Sequence, residues 1–312
     1  MNAVVDFPTL STLNAYTQIE LEFDRELGTL FSWMKPSPRP CFTPILLEEI
    51  QRSEQLLELH QGYFNDAGSP QRVNHVVFGS RVPGVFNLGG DLGILIQAIM
   101  RKDRDLLAYY AHLCIDNQYR RATGFGAQVT TIALLEGKAL GGGFEAALAC
   151  DIIVAERSTT LSFPEALFNL FPGMGALSFL SRKVGLKKAE EIISSCHVYT
   201  AKEMQELDVI DEVVEDGLGL AATRRIIATR RRRQNTYRAI QRAKQFVQPI
   251  QLAELKSVVD VWVDAAMHLE TRDLRMMSRL VKAQDKLMSA SPEDSALEAL
   301  YGEPEFRAVS NG

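Results

Sequence analysis

No apolar run in the 312 residues approaches the roughly 20 that a membrane-spanning helix needs. A membrane span is therefore not expected. Cysteine is scarce: Cys41, Cys114, Cys150 and Cys196 stand far apart, with no CxxC pair. That spacing argues against a disulfide framework or a zinc knuckle and makes a reducing cytoplasm the expected compartment. A basic excess is missing too. With 34 Lys and Arg against 39 Asp and Glu, the net charge is −5, which argues against a nucleic-acid binder. The five histidines are scattered without a spacing such as HxxxH, so neither a metal nor a cofactor is expected. The first residues show no basic stretch followed by an apolar core, so no secretory signal is expected. Repeats of fixed period and low-complexity blocks are absent as well. What remains is an ordinary globular composition, 46% hydrophobic and 23% charged, enough to bury a substantial core in one large or two small domains.

The apolar pattern alternates between short periods and helical ones. Residues 18–23 and 29–34 read as a hairpin, and the proline-rich 35–40 reads as a loop. Thr43-Pro44 reads as a cap and first turn of a helix to about residue 60. Strands are expected at 73–78, 129–135, 152–155 and 160–163, with helices at 91–100, 103–120 and 142–150. On the second of these helices Leu106, Tyr110, Leu113 and Asn117 form one stripe. The alternation indicates an α/β layer architecture. After Val214 the strand signal ends, and Leu252, Leu255, Val259, Trp262, Ala266 and Leu269 mark one face of a long helix. Leu274, Met277, Leu280, Val281 and Leu287 mark a second. The expected division is a flexible arm at 1–17, a catalytic core at 18–215, a helical region at 216–290 and a polar tail at 291–312.

Three segments carry chemistry, each directly after a strand. They are VFNLGGDL from Val85, EGKALGGGFEA from Glu136 and SFPEALFNLFPGMG from Ser162. Gly141-Gly142-Gly143 removes every side chain from a strand-to-helix turn, so a ligand can approach outward-pointing N–H groups. The pattern is not GxGxxG and no GKS or GKT follows, so a nucleotide fingerprint is not supported. A close-packing turn explains one such segment equally well. A second glycine turn at Gly89-Gly90 tips the balance, because an oxyanion hole needs N–H donors converging from two segments. Asp91 reads as the cap of the next helix. Glu145 and Glu165 both sit among apolar neighbours, where burial raises a carboxyl toward the range useful for proton transfer. As a pair they could serve as general base and general acid. Taken singly, a helix-dipole partner for Glu145 and a loop charge for Glu165 are the simpler readings.

Together FNLGGDL, EGKALGGGFEAALACDIIVA and FPEALFNLFPGMGA resemble the three signature segments of the enoyl-CoA hydratase/isomerase (crotonase) superfamily, over roughly residues 18–290. The wording is most similar to the diffusible signal factor synthases, bacterial enzymes that make cis-2-unsaturated fatty acid signals; VWVDAAMHL and RLVKAQ echo them too. The resemblance implies an α/β fold, a crotonase-like ββα superhelix core with a C-terminal all-helical extension. It implies an oxyanion hole from the N–H groups of Leu88 and Gly142, flanked by Gly89 and Gly141, with Glu145 and Glu165 as catalytic residues. Glu165 would take the C2 proton and Glu145 would serve the 3-hydroxyl. Met174, Trp262 and Leu280 fall where the subfamily lines its acyl pocket, although periodicity alone makes the last two core residues. The implied reaction dehydrates a 3-hydroxyacyl thioester of acyl carrier protein and then hydrolyses the thioester. Gly84 and Val85 stand where many CoA-using relatives carry a Lys or Arg, which favours the carrier protein over acyl-CoA. The basic run at 230–233, with Arg224, Arg225, Arg242 and Lys244, reads either as its docking surface or as a solvated helix face. The resemblance further implies a homo-oligomer, such as a trimer, and a regulatory sensor protein as partner. The alternatives are an enoyl-CoA hydratase/isomerase of fatty acid metabolism and a non-catalytic binding protein of the same fold.

Overall fold

The structure is a computed structural model describing residues 16–66 and 68–289. The polar tail, most of the N-terminal arm and the side chain of Leu287 lie outside the described residues. The hairpin is present: β1 (Ile19–Asp24) and β2 (Thr29–Met34) pair antiparallel. Thr43 caps α1 (Pro44–Leu59), its hydroxyl accepting the Leu46 N–H at 3.1 Å. A small hairpin of β3 (Tyr63–Asp66) and β4 (Ser69–Arg72) follows. It escapes a sequence reading because its polar residues bury little, so no alternation marks it.

The chain then runs through strand pairs and helices in order. These are β5 (His75–Ser80), β6 (Val85–Asn87), α2 (Leu92–Met100), α3 (Arg104–Ala122), β7 (Thr130–Leu135), β8 (Lys138–Leu140) and α4 (Gly142–Leu148). Next are β9 (Ile152–Glu156), β10 (Thr160–Ser162), α5 (Ala176–Val184), α6 (Leu186–Ser195), β11 (Tyr199–Thr200), α7 (Ala201–Glu206) and β12 (Glu212–Val214). The described chain ends in helices only: α8 (Gly219–Arg231), α9 (Gln234–Val247), α10 (Leu252–Ala266) and α11 (Thr271–Ser289).

Each ββα unit gives its first strand to one sheet and its second to another. The larger sheet has the order β1-β2-β5-β7-β9-β12, parallel from β2 onward; the smaller has β11-β10-β8-β6, parallel from β10 to β6. Strand β7 is buried along its whole length. Ala133 and Leu135 join the main core, while Ile132 and Leu134 face a second cluster with Phe31, Val154 and Ile227 of α8. A strand covered on both faces reads as continuously apolar, as VTTIALL does.

The C-terminal helices close the main core. Leu255, Val259, Trp262 and Ala266 of α10, with Met277 and Leu280 of α11, are buried in it, along the stripes expected from their spacing. On α3 the stripe begins one residue late, with Leu106 exposed and Leu107 buried. This helix is packed by α1 on one side and α10 on another, so its buried face is broader than one stripe.

Candidate active site

The parallel pairing of β6, β8 and β10 brings the three chemistry-bearing segments to the carboxyl ends of adjacent strands. That is where open α/β sheets place their ligands. The two glycine turns touch there. A Cβ on Gly89, whose φ is +94°, would lie 3.0 Å from the Gly142 nitrogen and 2.9 Å from the Leu140 carbonyl oxygen. Gly141 enters α4 at φ +49°, and a Cβ on it would stand 2.4 Å from Glu165 Oε1. Both positions exclude a side chain twice over, by conformation and by space.

The donors differ from those expected. The Leu88 N–H already donates to the Pro40 carbonyl at 2.7 Å, so it is not free to hold a developing oxyanion. Gly90 carries the unengaged N–H of this turn. Its nitrogen lies 3.4 Å from where a Cβ of Gly142 would be, and among the described residues neither the Gly90 nor the Gly142 N–H meets an acceptor. The Gly89 N–H is likewise spent, on the buried Asn87 side chain at 2.8 Å. Tyr110 braces the same turn, its hydroxyl donating to the Phe42 carbonyl at 2.6 Å and accepting the Asp91 N–H at 2.9 Å. Asp91 caps α2 as expected, accepting the N–H groups of Gly93 and Ile94.

Both glutamates reach this place. Glu145, 1% exposed, sits in the first turn of α4, and its Oε1 accepts the Met174 N–H at 2.7 Å and the Ala176 N–H at 2.8 Å. Glu165 opens a 3-10 turn, Glu165–Phe168, after β10. As a residue it is half-buried, but its Oε2 is shut away from solvent without a hydrogen-bond partner. Burial pushes the Glu165 carboxyl up to about 8. Glu145 is pushed well above the ordinary carboxylate range, first by burial and then by the charge of Glu165, with its two N–H donors pulling the other way. The two carboxyls therefore titrate as a pair rather than independently.

Glu145, Glu165 and Gly142 line one cavity together with Tyr110, Ala111, Cys114, Met174 and Trp262. Two of the three expected acyl-pocket residues, Met174 and Trp262, therefore face the carboxyls. Leu280 does not. It lines a neighbouring cavity over the glycine turns with Gly89, Gly90, Glu165 and Gln284. Gly90 and Glu165 border both cavities, so the two are contiguous.

The basic run lies away from the site, and Cys196, although its thiol meets the Leu167 and Ala166 backbone beside Glu165, adds no reactive group. The arginines of α8 lie across the larger sheet from the glycine turns, on the side of Phe31 and Ile227. Several are engaged: Arg224 with Asp24 at 2.5 Å, Arg225 with Glu212, and Arg231 with the Glu26 carbonyl. The solvated-face reading accounts for them. Cys196 and His197 adjoin in sequence, but burial raises the thiol to about 11 and the imidazole packs edge-on against Tyr199. They do not form an activated nucleophile.

Comparison with known proteins agrees with this geometry. Residues 53–273 match the family model described as enoyl-CoA hydratase/isomerase. Methylglutaconyl-CoA hydratase, mitochondrial, of Mus musculus is 31% identical over 170 residues, 52% of this chain and 50% of that protein. The match thus spans about half the length of the curated relatives. An enoyl-CoA hydratase/isomerase from Xanthobacter autotrophicus Py2 superposes with a TM-score of 0.68 at 21% identity, covering 88% of this chain and 97% of that one. Pseudomonas aeruginosa DspI superposes at 0.55 and 20% identity, covering 89% and 98%. At these identities the structural likeness is one of fold. The chain belongs to the enoyl-CoA hydratase/isomerase family, with the crotonase fold.

Proposed function

We propose that this member of the family moves water across C2–C3 of an acyl thioester, joining a 3-hydroxyacyl and a 2-enoyl form. One observation carries the reading: two buried carboxyls with raised pKa values face a single apolar cavity beside two unengaged N–H groups. The thioester carbonyl oxygen lies against the Gly90 and Gly142 N–H groups. Each such donor contributes about 3 kcal/mol when charge develops on that oxygen, which a weakly acidic C2–H requires. Glu165 takes the C2 proton and Glu145 protonates the departing 3-hydroxyl. The reverse reaction exchanges their roles.

The test is turnover of 3-hydroxydodecanoyl thioesters of carrier protein and of CoA, followed by mass spectrometry. Loss of one water to give an enoyl thioester is expected. No turnover with either carrier, and none from the enoyl side, would leave a non-catalytic protein of this fold.

A second reading is narrower, in which the chain is a diffusible signal factor synthase that also hydrolyses the enoyl thioester to a free cis-2-enoic acid. Two observations favour it. Val85 is buried against Leu88 and Leu140, so no cation stands at 84–85 for CoA phosphates, which suits a carrier-protein thioester. With Cys196 and His197 unsuited as a nucleophile, the carboxyl pair can activate the water itself. Water adds to the thioester carbon, the thiol leaves, and the acid is released. Free cis-2-dodecenoic acid from the carrier-protein substrate is the expected product; an enoyl thioester alone would remove this reading and leave the first intact.

A further inference from the structure

A second, larger cavity of about 270 Å³ lies at the far ends of the two helices that serve the glutamates. The N-termini of α4 and α5 supply Gly142 and the Ala176 N–H at the active site. Their C-terminal ends reach this cavity through Leu148, Cys150, Phe179 and Lys183, and α9 roofs it through Gln241, Lys244 and Val247. No lining residue is common to this cavity and the one holding the glutamates.

Its charges do not cancel. Arg182, Lys183 and Lys244 line it against one carboxylate, Asp151. Arg182 is fully engaged, forked onto Glu254 at 2.6 and 2.9 Å and donating to the Ser178 and Pro249 carbonyls at 2.8 Å. Asp151 is engaged as well, accepting the Thr131 N–H at 2.9 Å, the Thr131 hydroxyl at 3.2 Å and the Gln241 amide at 2.8 Å. Lys183 donates to the Val209 carbonyl at a long 3.3 Å, and burial together with Lys244 lowers its pKa. Asp211, Cys150 and Asp151 pull it back up. Lys244 has no ion-pair partner among the described residues. Two under-satisfied ammonium groups thus border an apolar stretch of wall made by Leu148, Phe179, Val247 and Ile250, with Gln245 and Gln248 also on the lining.

We infer that this cavity binds a free medium-chain carboxylate, its head on Lys183 and Lys244 and its chain along Phe179, Val247 and Ile250. Inorganic phosphate would satisfy the lysines but leave the wall bare, and a fatty alcohol would do the reverse. The inference does not depend on which reaction the glutamates perform.

The test uses the full chain and decanoate below its micelle concentration. Calorimetry should show saturable binding, weaker by about tenfold or more for decanol and for phosphate. Lys244 is exposed, so Lys244→Glu should fold normally and weaken decanoate by about tenfold, while Lys244→Arg retains it. Lys183→Met should act in the same direction. A decanoate carrying a terminal diazirine locates the site. Crosslinks are expected in peptides containing Phe179 or Val247 and should fade in Lys244→Glu. Crosslinks confined to peptides carrying Ala111, Cys114 or Met174 would overturn the inference. So would decanoate binding that ignores the charge at position 244, or phosphate binding as tightly as decanoate.

Discussion

Replacing Glu165 with Gln separates the energetic cost of the site from its chemistry. Burial raises this carboxyl from 4.5 to about 8. Between those values the unfolded chain has lost a proton that the folded chain keeps, so stability falls as pH rises through the window and not beyond it. Each unit in the window costs the native state about 1.4 kcal/mol. The penalty is roughly 3 kcal/mol at pH 7 and roughly 4 kcal/mol at pH 8, while it nearly vanishes at pH 4.5. A glutamine cannot ionise, so Glu165→Gln escapes the penalty. Its amide hydrogens meet no acceptor where Oε2 now stands unpartnered, a cost of about 1–3 kcal/mol that does not vary with pH. The pH slope is therefore the informative quantity. Urea unfolding from pH 5 to pH 8 should show the variant gaining on the wild type by about 4 kcal/mol, as kcat falls by about 10²–10⁴. Parallel stability curves would refute the raised pKa, and an unchanged kcat would refute the catalytic assignment.

Glu145 should behave differently because its Oε1 anchors two N–H groups. Glu145→Gln keeps an acceptor and should fold near wild-type stability with kcat reduced by about 10²–10⁴. Glu145→Ala strands both donors and should lose a further 1–3 kcal/mol or so in denaturant titration; equal stability of the two variants would contradict the anchoring. Gly141→Ala combines a strained positive-φ backbone, costing about 1–3 kcal/mol, with a Cβ that would stand 2.4 Å from Glu165 Oε1 and push that carboxyl aside. It should lower kcat and stability together, and wild-type kinetics would remove the Gly141–Glu165 contact from the mechanism. Ala111→Leu fills the cavity shared with the glutamates, so KM should rise for a long acyl chain and stay unchanged for a short one. The rate should follow a bell in pH whose acid limb lies above 4.5, since burial raises both carboxyls. An acid limb near pH 4 would mean that the pair is solvated.

The glycine turns and the glutamates were legible because their signals are local. The strand before each motif, with the glycines or glutamate that follow it, leaves its mark within a few residues. The donor N–H was not legible in the same way. Leu88 and Gly90 share one turn, and what separates them is a bond from Leu88 to Pro40 in a distant loop, which no periodicity announces. Gly90 could have been weighed from its adjacency to the capping Asp91, since a donor that points out of a helix start is the one left unpaired. Trp262 and Leu280 share one apolar signature, yet they enter different cavities because they sit on α10 and α11. The basic run of α8 was ambiguous for a related reason. Whether arginines are spent depends on partners as remote as Asp24 and Glu26.

The short helix α4 explains why an unengaged N–H and a buried carboxyl are found together. Its opening residue, Gly142, presents the N–H, and Glu145 lies in the same first turn. The start of α5 then pins Glu145 through Ala176, while Gly141 fits under Glu165. A displacement of α4 therefore moves the Gly142 N–H, the Glu145 carboxyl and the seat of the Glu165 carboxyl as one body. Positioning to within a fraction of an ångström is what proton transfer and oxyanion stabilisation both demand. The architecture meets that demand by placing these groups at the carboxyl ends of three parallel strands, with Gly142 and Glu145 on the start of α4 and Glu165 held in a 3-10 turn of the β10–α5 connection.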